Sequence, residues 1–135
     1  LTHTRKDLGI AWLEEGQRLK PGVAMSHVLL GLRLVGRGAP GDVEEGLRHF
    51  ERALECDGPN RFVLCRMAFE LIRAGRCEEA IARFTEAIEL SGGEPEDWNG
   101  RGLAREQKGD LVGAEQDFRR AVEAESSYAF AHATL

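Results

Sequence analysis

The chain has 135 residues, a formal net charge of −5, 42% apolar and 30% charged residues. These values are typical of a globular protein that is long enough to form one hydrophobic core. The negative charge argues against general nucleic-acid binding, and no apolar run approaches the roughly 20 residues that span a bilayer, so we expect neither nucleic acid nor membrane as a partner.

The residues with reactive side chains give no sign of a catalytic or metal site. Cys56, Cys65 and Cys77 are odd in number and lack paired spacing, which indicates free thiols in a reducing compartment. The four histidines are isolated, and no nucleophile turn or phosphate-binding loop accompanies them. The arginines alternate with acids, as Arg119 does with Glu115, which is typical of a solvated helix surface. We therefore expect no enzyme activity, no metal, no cofactor and a cytoplasmic location.

The first predicted helix ends at Pro21-Gly22 and carries Trp12 and Leu19 seven residues apart. It lacks the small and aromatic positions that recur later in the chain. We assign residues 1–22 to a helix that caps the open end of the fold, with Trp12 as its anchor.

Residues 23–60 form the first of three predicted helix pairs. Its first helix, residues 26–36, contains Gly31, so we expect it to be the shortest in the protein. Asp42 is the predicted N-cap of the second helix, with Glu45 three residues later as in a capping box.

Two further helix pairs follow, over residues 61–94 and 95–128. Asp110 is the predicted N-cap of the last helix, which should end near residue 125. Residues 129–135 are predicted to start another helix. Because the chain starts without Met and stops inside this predicted helix, we expect it to be part of a larger protein.

One signature repeats every 34 residues in the second helix of each pair. In the middle pair it consists of Gly75, Ala80, Phe84 and Ala87. The corresponding residues are Gly41, Gly46, Phe50 and Ala53 in the first pair, and Gly109, Ala114, Phe118 and Ala121 in the third. On a helix, the small, aromatic and small positions share one face, which lets neighbouring helices approach closely beside the Phe. A fixed period of this length predicts a solenoid of repeated helix pairs.

This signature resembles that of the tetratricopeptide repeat (TPR) family, whose earlier pattern positions correspond here to Leu64 and Ala68, and to Trp98 and Gly102. The Pro that often follows the second helix in that family is absent. The resemblance covers residues 27–128. It implies an all-α, right-handed superhelical solenoid of antiparallel helix pairs. It also implies a noncatalytic scaffold whose concave surface, lined by the first helices, holds a peptide or helix of a partner protein.

The period also locates the residues expected on the concave surface. If Leu64, Ala68 and Leu71 pack inward, Phe62 and Phe69 are rotated toward that surface. The predicted partner-binding residues are the apolar Val28, Val35, Phe62, Cys65, Phe69 and Leu103 and the polar Arg66, Arg73 and Asn99. The first helices lack the Lys and Asn with which some family members bind acidic chaperone tails, so we do not expect that ligand.

Two alternatives to a partner groove remain open. The apolar row could be filled by the N-terminal helix of the protein itself, by a neighbouring molecule, or by tight winding of the solenoid. The chain could also be a regulatory or oligomerisation module of a larger enzyme, which leaves self-association open.

Overall fold

The computed structural model describes Ile10, Glu14 and residues 24–133, with side chains up to residue 126. The helices are α1 (Ala24–Arg37), α2 (Asp42–Asp57), α3 (Arg61–Arg73), α4 (Cys77–Ser91), α5 (Pro95–Lys108) and α6 (Leu111–Ala133). No strand occurs in this part of the chain, so the predicted all-α class is confirmed. None of these helices is both long enough and apolar enough to cross a bilayer. Of the predicted N-terminal helix, only Ile10 and Glu14 are described: both are helical, and Ile10 is buried in a cluster with Leu30 and Leu34. The predicted anchor Trp12 lies outside the described residues.

Glycines with a positive φ separate the two helices of each pair where the repeat predicts a turn. Gly41, Gly75 and Gly109 have φ values of 84°, 79° and 99°. L side chains are strained in this region of backbone space, so the recurring Gly sets the position of each turn.

The chain divides into two compact units, residues 1–63 and 64–135. In the first unit, α1 and α2 pack through glycines: a Cβ on Gly31 would lie 2.7 Å from the Phe50 ring, and one on Gly46 would lie 2.8 Å from a methyl of Val35. The prediction that α1 is the shortest helix is wrong, because it has 14 residues and α3 has 13. Gly31 serves close packing on Phe50 and does not shorten the helix.

Asp42 does not have the predicted capping role. The N-cap of α2 is Gly41, and no side chain caps this helix. The buried Asp42 carboxylate accepts hydrogen bonds from Nε and Nη2 of Arg37 at 2.6 and 2.8 Å and from the N–H of Ala39 at 3.0 Å. The capping prediction fails because this carboxylate ties the end of α1 to the start of α2 instead.

Phe84 lies at the centre of the second unit and is 0% exposed. The Phe69 ring of α3 meets it edge-on, with centroids 5.1 Å apart. From α5, Gly100 lies so close that a Cβ there would overlap the Phe84 ring. The small and aromatic positions of the repeat therefore pack as the sequence predicts.

A buried charge cluster joins α5 to α6. Asp117 accepts two hydrogen bonds from Arg101, at 2.8 and 3.0 Å, and one from Arg105 at 2.9 Å. Arg101 also donates to the hydroxyl of Thr85 on α4 at 3.2 Å. These arginines hold helices together, in contrast to the solvated role that we predicted for the arginines in general.

The last helix begins as predicted and ends later. The N–H of Gly113 donates to Oδ1 of Asp110 at 3.0 Å, which confirms Asp110 as a capping residue. We predicted an end near residue 125 and another helix over residues 129–135. Instead α6 continues without a turn to Ala133.

His27 of α1 and His49 of α2 form a stacked pair. Their Nδ1 atoms are 3.0 Å apart and their ring centroids 5.3 Å apart. Burial lowers the pKa of both rings below the ordinary 6.5; the Arg52 charge lowers the pKa of His27 further, while Glu55 opposes it. The charge of His27 lowers the pKa of His49, and Glu45 opposes it. The geometry fits a neutral pair in which one Nδ1–H donates to the other Nδ1.

Acidification should therefore destabilise the protein through this pair. Because both pKa values are lowered on folding, the unfolded chain binds more protons as the pH falls below about 6.5, and the free energy of unfolding decreases there. The pair's contribution is complete above that pH. Urea unfolding near pH 7.5 and near pH 5.5 measures the loss. A His27→Gln/His49→Gln variant should lose less over the same interval, and an equal loss would contradict the prediction.

Candidate functional site

A pocket of about 600 Å³ lies in the second unit, mainly against α5. This volume is within the range of roughly 300–1,000 Å³ found for ligand pockets. Its lining residues are Phe69 from α3, Glu94, Pro95, Glu96, Asn99, Gly100 and Leu103 from the start and body of α5, and Glu125 from α6. We call this surface the α5 pocket.

One face of α5 forms most of the wall. Asn99 lies one turn after Pro95, and Leu103 one turn after Asn99, so the three share a face. Pro95 starts the helix directly after Glu94, whose backbone is extended. Leu103 is 42% exposed, which is high for a large apolar side chain on a rigid helix. The pocket therefore presents an apolar wall to incoming groups.

Phe69 forms the opposite wall and is held in place by the core. It is half-buried, and its ring meets Phe84 with an interplanar angle of 82°. Edge-to-face contacts of this kind favour one ring orientation. The apolar surface that Phe69 presents is therefore formed before any partner binds.

A buried carboxylate fixes the start of α5 against α3 and α4. The Cys65 thiol donates to Oδ1 of Asp97 at 2.9 Å, and the Ser91 hydroxyl donates to Oδ2 at 3.2 Å. Both Cys65 and Asp97 are buried. Cys65, predicted to contact a partner, thus orients the helix that carries the pocket.

The charged residues that line the α5 pocket are acidic. Glu94, Glu96 and Glu125 line it, and among the described residues no Lys or Arg does. Arg73, predicted as a polar contact, donates instead to the buried Glu70 of its own helix at 3.4 Å. Within the described residues, no group of three or more His, Cys, Asp or Glu side chains is arranged to hold a metal ion. The α5 pocket therefore combines an apolar wall with acidic lining residues.

The structure brings together three of the nine predicted partner-binding residues, namely Phe69, Asn99 and Leu103. Val28 and Val35 are buried in the first unit, whereas Phe62 is exposed. Arg66 is also exposed but does not line the α5 pocket. The function proposed below rests on the three residues that the structure places together.

Sequence reasoning missed several lining residues. Pro95 stands one turn before Asn99, so helical spacing could have found it once Asn99 was selected. The 34-residue period does assign Glu96 to the concave row, although Glu96 was not among the predicted partner-binding residues. Glu125 has no comparable local signal, because it comes from α6, far from the other lining residues in the sequence.

The family model described as tetratricopeptide repeat matches residues 65–129. A search of curated proteins gave no match. Among solved structures, the crystal structure of MamA protein has a TM-score of 0.84 and 20% identity, over 92% of this chain and 66% of that chain. MamA 41-end from Desulfovibrio magneticus RS-1 has a TM-score of 0.79 and 15% identity, over 90% and 67% of the two chains. These two show the fold alone.

A third solved structure is more similar in sequence and in length. The second TPR of Spaghetti (RPAP3), bound to the HSP90 peptide SRMEEVD, has a TM-score of 0.68 and 28% identity, over 82% of this chain and 98% of that chain. By contrast, this chain spans just under two thirds of the MamA protein structure. The repeat signature, the helix pairs and these matches agree on a helical-repeat fold, and residues 65–129 match the tetratricopeptide repeat family.

Proposed function

We propose that this chain is a noncatalytic interaction module that holds a segment of a partner protein in the α5 pocket. The observation that carries the proposal is the exposed apolar side chain of Leu103 facing a preformed wall at Phe69 in a cavity of about 600 Å³. These residues lie on α3 and α5, the first helices of consecutive repeats. The RPAP3 neighbour, itself bound to a peptide, supports such a role.

The chemistry of the pocket specifies the segment. One apolar side chain enters between Phe69 and Leu103, and its burial contributes roughly 1.5–3 kcal/mol. Glu94, Glu96 and Glu125 line the pocket, so a Lys or Arg next to that apolar residue would meet opposite charge there. An acidic segment would meet like charges there, which disfavours it. The ligand class is thus a short segment with an apolar residue next to a basic one.

Leu103→Glu tests the pocket. Peptides are first selected for binding to the unmodified chain from a displayed random library, and their affinities are then measured by fluorescence anisotropy. Leu103→Glu should weaken binding about tenfold or more, because it places a carboxylate in the apolar wall. We expect the selected peptides to be enriched in Leu or Phe beside Lys or Arg.

Leu90→Glu is the matched control. Leu90 lies on α4, is 50% exposed and does not line the α5 pocket, so this change should leave affinity within about twofold. Circular dichroism establishes that both variants keep their helices. Equal affinities of the two variants would refute the α5 pocket as the binding site. Selection of acidic peptides would refute the proposed ligand class.

A second candidate function is oligomerisation. It is favoured by exposed apolar side chains on α6, including Leu111 and Val122. Large exposed apolar patches usually mark contact surfaces.

A further inference from the structure

The outer face of α6 carries a second apolar cavity, of about 490 Å³, lined by Leu111, Ala114, Phe118 and Val122 among others. We call it the α6 pocket. Val122 is 63% exposed, and Phe118 is only partly buried. Phe84, which stands at the same repeat position as Phe118, is completely buried. One side of the Phe118 ring is therefore open to solvent, whereas the corresponding side of the Phe84 ring is covered by the protein.

The repeat shows what kind of element covers this face. A shift of 34 residues relates Leu111, Ala114, Phe118 and Val122 to Cys77, Ala80, Phe84 and Ile88 of α4. The following helix, α5, docks on that face of α4. Gly100 lies against Phe84, and Lys108 pairs with Glu78 at 2.7 Å. The α6 pocket is therefore the counterpart of an established helix-docking surface within the same chain.

The segment that the period places after α6 starts near residue 128, the counterpart of Glu94. Between α4 and α5, Gly92 and Gly93 turn the chain, with φ values of 83° and 105°, and Pro95 starts the next helix. The corresponding residues after α6 are Ser126, Ser127 and Ala129. Ser and Ala can continue a helix at positions where Gly and Pro end one.

The structure has no turn at these positions, as expected where Ser and Ala stand in place of Gly and Pro. α6 runs without interruption to Ala133. A continuous helix cannot fold back along its own side, so residues 127–133 lead away from the α6 pocket of their own chain.

We propose that residues 127–133 of a second copy of this chain dock in the α6 pocket, and that the exchange is reciprocal. Reciprocal exchange of an identical element is a low-cost route to a dimer, because the same contact forms twice. By the shift of 34 residues, Ala131 of this segment corresponds to Asp97, which is buried where α5 packs.

Charge also fits this occupant. Glu106 and Glu123 line the α6 pocket, together with Glu115, which pairs with Arg119 at 2.7 Å. Residues 126–135 contain no Asp or Glu. The proposed segment therefore brings no like charge to an acidic rim.

Val122→Glu tests the proposal. The masses of the unmodified chain and of the variant are measured by light scattering over a range of protein concentrations. We expect the unmodified chain to reach twice the mass of one chain. Val122→Glu should raise the dimer dissociation constant about tenfold or more, because it puts a carboxylate in the contact. The control is Val112→Glu. Val112 is on the same helix and 70% exposed but outside the pocket lining, so its change should be within about twofold.

A second variant restores the turn without touching the pocket. It combines three substitutions that reproduce the turn between α4 and α5, namely Ser126→Gly, Ser127→Gly and Ala129→Pro. The segment should then fold back on its own chain. We expect this variant to be a monomer of unchanged or higher thermal stability. Leu103→Glu, in the α5 pocket, should leave the dimer intact, which separates this proposal from the proposed function.

Three outcomes would overturn the exchange. The first is an unmodified chain that stays monomeric at every concentration. The second is a dimer that survives Val122→Glu with unchanged affinity, since its interface would then lie elsewhere. The third is a dimer that persists in the turn-restored variant.

Discussion

Replacing Phe84 with alanine is expected to lower the free energy of unfolding by about 3–5 kcal/mol. The ring is completely buried, and it is enclosed by Phe69 on one side and Gly100 on another. Gly100 has no side chain that could move into the cavity, so the loss of contacts is not relieved locally. Urea unfolding monitored by circular dichroism measures the change.

Phe118→Ala is the matched control, because it changes the same residue type at the same repeat position. Phe118 is only partly buried, so its removal should cost less than about half as much. The two variants should be compared at the lowest practical protein concentration, where a dimer contact on the α6 pocket adds little. Equal losses would contradict the difference in packing between the second and third repeats.

Asp117→Ala should destabilise the protein by about 3 kcal/mol. This change leaves Arg101 and Arg105 without the carboxylate that accepts their three hydrogen bonds. The cost is at the lower end of the range for breaking a buried ion pair, because the Arg105 side chain is 25% exposed and water can partly replace the acceptor. Thermal and urea unfolding both measure it.

The Glu115–Arg119 pair supplies the control for this cluster. Its atoms are 2.7 Å apart, but both side chains are largely exposed, so Glu115→Ala should cost less than about 0.5 kcal/mol. Replacing Asp117 with Leu and Arg101 with Met together should recover part of the loss, since the mostly buried guanidinium of Arg101 is then no longer left without its acceptor. An Asp117→Ala variant no less stable than Glu115→Ala would refute the structural role of the cluster.

The charge cluster also matters for the proposed partner site. Arg101 and Arg105 hold one face of α5 against α6, while Asn99 and Leu103 on the same helix line the α5 pocket. Any loosening of α5 would therefore alter the pocket without changing a residue in it. For this reason, the binding test uses Leu103 itself and not a residue of the cluster.

The RPAP3 structure sharpens the expectation about the ligand. That domain is bound to the peptide SRMEEVD, which contains three acidic residues. In the present chain Glu94, Glu96 and Glu125 line the α5 pocket. The proposal therefore predicts a different class of peptide for the α5 pocket, because like charges at a contact are unfavourable.

The sequence by itself determined the fold class, the turn positions and the residues at the centre of each repeat. These features follow from local rules. A Gly is required wherever φ is positive, as at Gly75, and the spacing of Ala80, Phe84 and Ala87 places them on one buried face. The same rules predicted the capping role of Asp110, which acts only three residues away.

Only the tertiary structure decided which polar and apolar side chains meet across helices. The partners of Asp117 and of His27 are 12 to 22 residues away in sequence and are brought together by the packing of neighbouring helices. The same holds for the α5 pocket, because helical spacing shows which residues share a face but not whether another helix covers that face. Val28 is therefore buried and Leu103 exposed, although the period had assigned both to one surface. Burial depends on the neighbouring elements, and a local pattern contains no information about them.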